Sequence, residues 1–445
     1  MVATVMPGPR QRVRLRLGDR LSRQRHDTFA ALRVRNYRLF FTGQAISLVG
    51  TWMQAVALSW LAFELSHSGT TIGLVLAAQF LPVLLLGAYG GLIADRVVKR
   101  PTLIGTQTAL GSLALVLGIL SISHAIRLWM LFAIAVCLGI VLALDNPTRQ
   151  SFLMEMVGGD RVQNAVSLNS VLTSASRAVG PALAGGLIAG VGVGICFLAN
   201  AGSFLAVIVA LALMRPQELH RVPPVPRSRR QLRQGLRYVA SRTDLFTPLL
   251  MMALIGTLAY EFPVVLPLLA HGSLHGGADT FGFLTSAMGA GAVAGGLVLA
   301  AVGVTGLAAV TGAALGFGIA ILVAAAAPTL PLELVAMLLV GAASTAFMAT
   351  GNNTLQLNSA PGFRGRVMAL WAVTFTGSTP IGGPIVGFVS EQAGPRVGLL
   401  LGAGACLLAA ALGLKVMRRT PPARRVPATR MTAPDLGGHE PAHGM

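Results

Sequence analysis

Two ionisable side chains, Arg177 and Glu261, stand inside long apolar stretches of this 445-residue chain. At 1.5 Å of rise per residue, each lies on the order of 20 Å past the start of its stretch. An ionised group at that depth in lipid costs about 2.5–3.5 kcal/mol unless it is solvated or paired. A carboxyl kept there can take up and release a proton. Glu261 is therefore the candidate proton carrier, with Arg177 at similar depth as the charge that would modulate it. The alternative for either is to snorkel to the interface. Of the other acids, Asp95 and Asp145 sit at the span ends of one side and Glu64, Asp279, Glu333 and Glu391 near those of the other.

Gln44, Ser47, Thr51 and Gln54 recur at spacings of three, four and three, which places them on one helical face. That face either lines a polar cavity or hydrogen-bonds a neighbouring helix. Trp52, Met251, Met252, Tyr260 and Met348 suit an adaptable pocket or ordinary packing. His271/His275 and His439/His443 are four apart, but apart from Asp279 and Glu440 no further ligand is near and both pairs lie in loop or tail, so no metal site is expected. Lys99 and Lys415 are the lysines of the chain, and neither stands in a Walker A motif. ATP hydrolysis by that route is excluded, no enzyme motif stands out, and no cofactor is implied.

These side chains must be positioned by membrane helices. The chain is 54% hydrophobic and 11% charged, with a mean hydropathy of +0.71, whereas soluble chains run about 25% charged. Apolar runs near 20 residues predict an all-α integral membrane protein with twelve spans, at 38–63, 72–94, 101–122, 127–146, 164–190, 192–214, 245–270, 278–300, 304–326, 331–356, 366–390 and 396–415. The expected organisation is a basic segment 1–37, a six-helix half 38–214, a basic linker 215–244, a second six-helix half 245–415 and a disordered tail 416–445.

The halves echo each other. Thr71-Ile72-Gly73 matches Thr280-Phe281-Gly282, Gly90-Gly91-Leu92 matches Gly295-Gly296-Leu297, and Thr148 and Gln150 match Thr354 and Gln356. Arg161-Val162 matches Arg366-Val367, and Gly180-Pro181 matches Gly383-Pro384. Parallel repeats with a site between them near the midplane describe an alternating-access transporter.

A net charge of +19 and a pI of about 11.6 would suggest nucleic acid in a soluble chain. Position overturns that, because 31 of the 34 Lys and Arg fall in segments that share one side if the spans alternate. The positive-inside rule then predicts that both termini and the 215–244 loop are cytoplasmic, with the loop resting on anionic lipid. Cys137, Cys196 and Cys406 fall inside spans and imply no disulfide framework. No cleavable signal pattern precedes span one. The Ala, Gly and Arg bias points to a bacterial plasma membrane.

After span two runs Gly91-Leu92-Ile93-Ala94-Asp95-Arg96-Val97-Val98-Lys99-Arg100. This resembles the signature of the major facilitator superfamily, Gly-x-x-x-Asp-Arg-x-Gly-Arg-Lys, with Val98 in place of the second glycine. On physical grounds Gly91 permits close helix approach and Asp95 suits a facing helix N-terminus. Lys99 or Arg100 could pair with an acid on a neighbouring helix end. With Arg96, Asp145 and Arg149, these residues are expected to form a cytoplasmic gate. Gly180, Pro181, Gly185 and Gly186 resemble the superfamily's antiporter motif, and physically they predict a kinked, closely packed span five. Two further blocks, Asn36-Tyr37-Arg38-Leu39-Phe40-Phe41 with Gly43-Gln44 and Trp52-Met53-Gln54, and the run Asp145-Asn146-Pro147-Thr148-Arg149-Gln150, look like the siderophore and macrolide exporter branch called transmembrane secretion effectors. The resemblance implies a major facilitator fold exporting an amphipathic small molecule, such as a drug, siderophore or secondary metabolite, in exchange for protons. The rival readings are an importer or facilitator, and a membrane scaffold or sensor without transport.

Overall fold

The computed structural model describes residues 29–220, 231–302, 304–360 and 363–419. Most of the basic start, residues 221–230 of the linker, and the tail with His439 and His443 lie outside the described residues. The first six long helices are α1 Arg35–Ser66, α2 Gly69–Ala94, α3 Lys99–Ile122, α4 Leu128–Val157, α5 Val162–Val191 and α6 Val193–Ala212. A short helix, α7 Gln231–Ala240, belongs to the linker. The second set comprises α8 Thr243–Leu258, α9 Phe262–Leu268, α10 Ala278–Val302, α11 Leu307–Ala326, α12 Leu330–Asn358, α13 Arg364–Ala393 and α14 Pro395–Arg419.

Among the described residues, eleven helical stretches are long and apolar enough to cross a membrane. α13 is as long, with 30 residues. Its Thr374, Thr376, Ser378 and Thr379, together with Pro380 and Pro384, dilute its hydropathy. Such a polar span is stable only where neighbouring helices cover it, and α13 packs against α2, α8 and α14.

Turns between spans are short where glycine permits. Gly192 (φ 91°) alone separates α5 from α6, and Gly394 (φ 96°) alone separates α13 from α14. A side chain at such a φ is strained. The two turns occupy the same place in each six-helix set, as the sequence repeat anticipates. The seventh span, expected to be continuous over 245–270, is broken. α8 ends at Leu258, Ala259 to Glu261 are non-helical, and α9 restarts before a π-helical turn at Leu269–Ser273. Pro263 at the start of α9 and Pro267 within it, each lacking an N–H, favour that restart.

Within the first set α3 and α1 pack on α6, and α2 packs on α4. Within the second, α10 packs on α12 and α11 on α14. The two sets meet along two seams, α2 with α13 and α5 with α10. At the end away from the linker, here the far end, these seams are backbone against backbone. A methyl added at Gly73 would strike the Gly383 carbonyl, and one at Gly387 the Gly69 carbonyl. One at Gly282 would lie 2.8 Å from the Gly185 nitrogen and from the Pro181 oxygen. Trp60 of α1 stacks on Phe281 of α10 at 6.2 Å, and Phe63 meets His271 at 5.2 Å. The two sets are thus sealed at the far end.

Candidate functional site

At the linker end the signature residues are held mainly by the first six helices. Asp95 is the half-buried C-cap of α2, its N–H donating to the Gly91 carbonyl at 3.1 Å, and Arg96 is exposed. Lys99, at the start of α3, is buried and ion-pairs with Glu155 of α4. Arg100 donates to the Leu211 and Ala212 carbonyls at 2.7 and 2.9 Å, satisfying the C-terminal carbonyls of α6 with a cation. The close approach of α2 to α4 falls at Gly90, where a methyl would strike the Ala143 carbonyl. Gly91 itself is half-buried.

Asp145 is completely buried, with no exposed side-chain area. It accepts from Thr106 at 2.7 Å and Gln107 at 2.9 Å, and it ion-pairs with Arg149 one turn on. This charge-assisted network ties α3 to α4. The block Asn36-Tyr37 serves the same end of the bundle. Asn36 bonds both the N–H and the carbonyl of Arg215, each at 3.0 Å, and the Tyr37 hydroxyl donates to the Ala165 carbonyl at 3.0 Å.

In α5, Gly180 meets Trp52 and Met53 of α1, and Gly185 meets Gly282 of α10, as close packing requires. Gly186 departs from the expectation: it faces open space, so it contributes no close contact. Despite Pro181, α5 is assigned as one continuous helix.

The polar face of α1 resolves mostly into packing. Gln44 and Ser47 are buried, and Gln54 accepts from Asn200 of α6 at 2.6 Å. Thr51 is the one of the four that is exposed, and it bonds back to the Ser47 carbonyl. The hydrogen-bonding alternative therefore holds for Gln54. Spacing put the four on one face but could not say which neighbour that face meets.

Arg177 and Glu261 have different neighbours. The Arg177 guanidinium lies 5.1 Å from the Trp52 ring centroid, a cation–π contact, and within electrostatic range of Tyr260. Tyr260, in the break of the seventh span, donates to the Ser344 carbonyl at 2.8 Å and packs on Phe317 and Phe375. Glu261 turns toward α13 instead. It is 2% exposed, Thr379 is within hydrogen-bonding reach, and its Oε1 has no partner. Glu261 also lines a small cavity with Phe262, Val265, Ile321, Gly398 and Gly402. The break thus sends adjacent side chains to different surroundings.

The sequence singled out neither Glu155 nor Asn200, and it gave no surroundings for Glu333 and Glu391. Glu155 pairs with Lys99, and Asn200 holds Gln54. Glu333 is fully buried with both oxygens unpartnered, close enough to Arg396 to feel its charge. Glu391 reaches across the far end to α2. A buried asparagine or an acid near a span end carries no spacing signal, so only the packing reveals these partners.

A twelve-span bundle of two six-helix sets, sealed at one end and carrying this signature at the other, defines a membrane transporter of the major facilitator type. The family model described as transmembrane secretion effector matches residues 26–439, and the chain belongs to that family. It is 27% identical to the staphyloferrin A transporter of Staphylococcus aureus over 269 residues, which is 59% of this chain and 66% of that protein, just under two thirds of its length. It is 22% identical to macrolide efflux protein A of Streptococcus pyogenes over 270 residues, 59% of this chain and 67% of that one. A bacterial homologue of the lysosomal transporter Spinster, in an inward-facing and unoccupied conformation, shares the fold with a TM-score of 0.68 at 14% identity, covering 87% of this chain and 99% of that one. A peptide-transporter-family structure gives 0.69 at 13% identity, covering 86% of this chain and 96% of that one. The family and the structural neighbours are transporters, not enzymes.

Proposed function

We propose that this chain is a secondary exporter of an amphipathic small molecule in a bacterial plasma membrane, driven by inward proton movement. The observation that carries the reading is Glu261. It is a deeply buried carboxyl with an unpartnered oxygen at a helix break, where a span's own backbone is interrupted. Interrupted membrane helices are characteristic of ion and substrate sites. Relatives named for macrolide efflux and for staphyloferrin A transport support a bulky small-molecule cargo. Tyr260, Arg177, Trp52 and Thr51 are the cavity candidates, whereas Gln44, Ser47 and Gln54 are buried. Asp95, Arg96, Lys99, Arg100, Asp145 and Arg149 form the cytoplasmic gate in this reading. Membrane lipid surrounds the bundle, and neither nucleic acid nor ATP takes part.

The test is flux direction. In everted vesicles with the interior acidified, a radiolabelled macrolide should accumulate inside only when the protein is present. Accumulation in right-side-out vesicles under an inward proton gradient would make it an importer instead. A macrolide with no gradient-dependent flux in either, followed by a compound-resistance screen of expressing against empty cells that finds nothing, would favour the scaffold or sensor reading.

The linker end is assigned to the cytoplasm, because 31 of the 34 basic residues fall on that side. In a background lacking Cys137, Cys196 and Cys406, a cysteine at position 275 should react with an impermeant maleimide in intact cells. One at position 237 should react only after permeabilisation. The reverse pattern would invert the topology.

A further inference from the structure

The far-end seal has a polar element that the transporter reading does not use. Glu391 lies near the end of α13, in the second set of helices, and its Oε2 accepts three hydrogen bonds from the first set. The donors are the Ser68 hydroxyl at 2.6 Å, the Thr70 N–H at 3.0 Å and the Thr70 hydroxyl at 2.7 Å. Ser68 is also the N-cap of α2, accepting from the Thr71 N–H at 3.2 Å. A carboxylate from one half therefore completes the N-terminus of a helix in the other, where free N–H groups and the helix dipole favour an anion.

We propose that Glu391 is the latch that holds the far side of the transporter closed, and that its release from the first turn of α2 must accompany opening on that side. The surroundings fit a contact that is made and broken. Directly beneath it, α2 and α13 meet through Gly69/Gly387 and Gly73/Gly383. These backbones touch without interlocking side chains, so the helices can part with little steric resistance. The contact is solvent-exposed, and water can replace all three donors when Glu391 leaves. Trp60 on Phe281 and Phe63 on His271 supply the apolar part of the seal but give no directional bond across it.

The inference rests on alternating access, and the experiment separates the two ideas. Spin labels at positions 127 and 329 occupy exposed far-end sites in different halves. Electron-electron distance measurements on the full chain in lipid nanodiscs, in the cysteine-free background, read the closed population and a longer, open one. Glu391→Ala should raise the open-to-closed ratio roughly three- to tenfold, in line with losing hydrogen bonds to an exposed charged acceptor. Thr70→Val removes one donor without touching the Ser68 cap and should give a smaller rise in the same direction. The double variant should match Glu391→Ala alone, because both act on one contact. If Glu391→Ala does not fold, Thr70→Val carries the test. Two populations that neither variant shifts would overturn the latch while leaving alternating access intact. A single distance in every variant, with substrate or across a pH gradient, would overturn alternating access and the latch with it.

Discussion

Glu261→Gln abolishes the response of transport to a pH gradient while leaving substrate exchange at equal pH measurable. Glutamine keeps the size of the side chain and one acceptor oxygen for Thr379, but it cannot gain or lose a proton. With one proton exchanged per neutral substrate, 100 mV supplies about 2.3 kcal/mol, enough for a roughly fifty-fold gradient. The variant should therefore fall from a gradient of up to about fifty-fold to none. Proteoliposomes loaded with the substrate found by the resistance screen provide the measurement, with counterflow as the control for intact binding. Full pH response in the variant would make Glu261 structural and send the search for the proton route to Asp95 or Asp145. Because Glu261 turns toward α13 and its small cavity while Tyr260 packs on α11 and α13 within range of Arg177, the proton would not compete with cargo by direct contact. It would act on the break of the seventh span and on its packing against α13.

Asp145→Ala should produce the largest loss of stability of any single change at the linker end. The substitution strips Thr106 and Gln107 of a charged acceptor and leaves Arg149, whose side chain is 24% exposed, without its counter-ion. Removing one partner of a buried ion pair costs about 3–5 kcal/mol, chiefly because the other charge stays behind uncompensated. The expected readout is a lower melting temperature of the purified protein in detergent. Asp145→Asn keeps an oxygen for Thr106 and Gln107, so it should lose less. Adding Arg149→Gln to Asp145→Asn should recover part of the loss, because the stranded cation is then gone. An unchanged melting temperature for Asp145→Ala would mean that the network contributes geometry rather than stability.

What the sequence determined by itself is what depends on composition and on order along the chain. Lipid demands long apolar helices, so the number of spans and their approximate ends were legible without a structure. Duplication leaves matched residues at a nearly fixed offset, so the two six-helix sets were legible too. The glycine turns at Gly192 and Gly394 fit the same repeat. Asp95 with Lys99 and Arg100 was legible as a cluster because these residues stand where one span ends and the next begins, whereas Asp145 and Arg149, expected at the end of span four, lie inside α4, which runs on to Val157. Tertiary structure alone decided the partners. Lys99 meets Glu155, 56 residues away, and Gln54 turns to Asn200 rather than to a cavity. The break at Ala259 to Glu261 was missed although Pro263 and Pro267 favour it locally; Pro82 and Pro181 stand inside unbroken helices, so proline by itself does not say which span breaks. Glu391 lies 321 residues from Thr70, and no periodicity links them. A hydrogen bond between halves exists only once both halves have folded and met, so its geometry is a property of the assembled bundle.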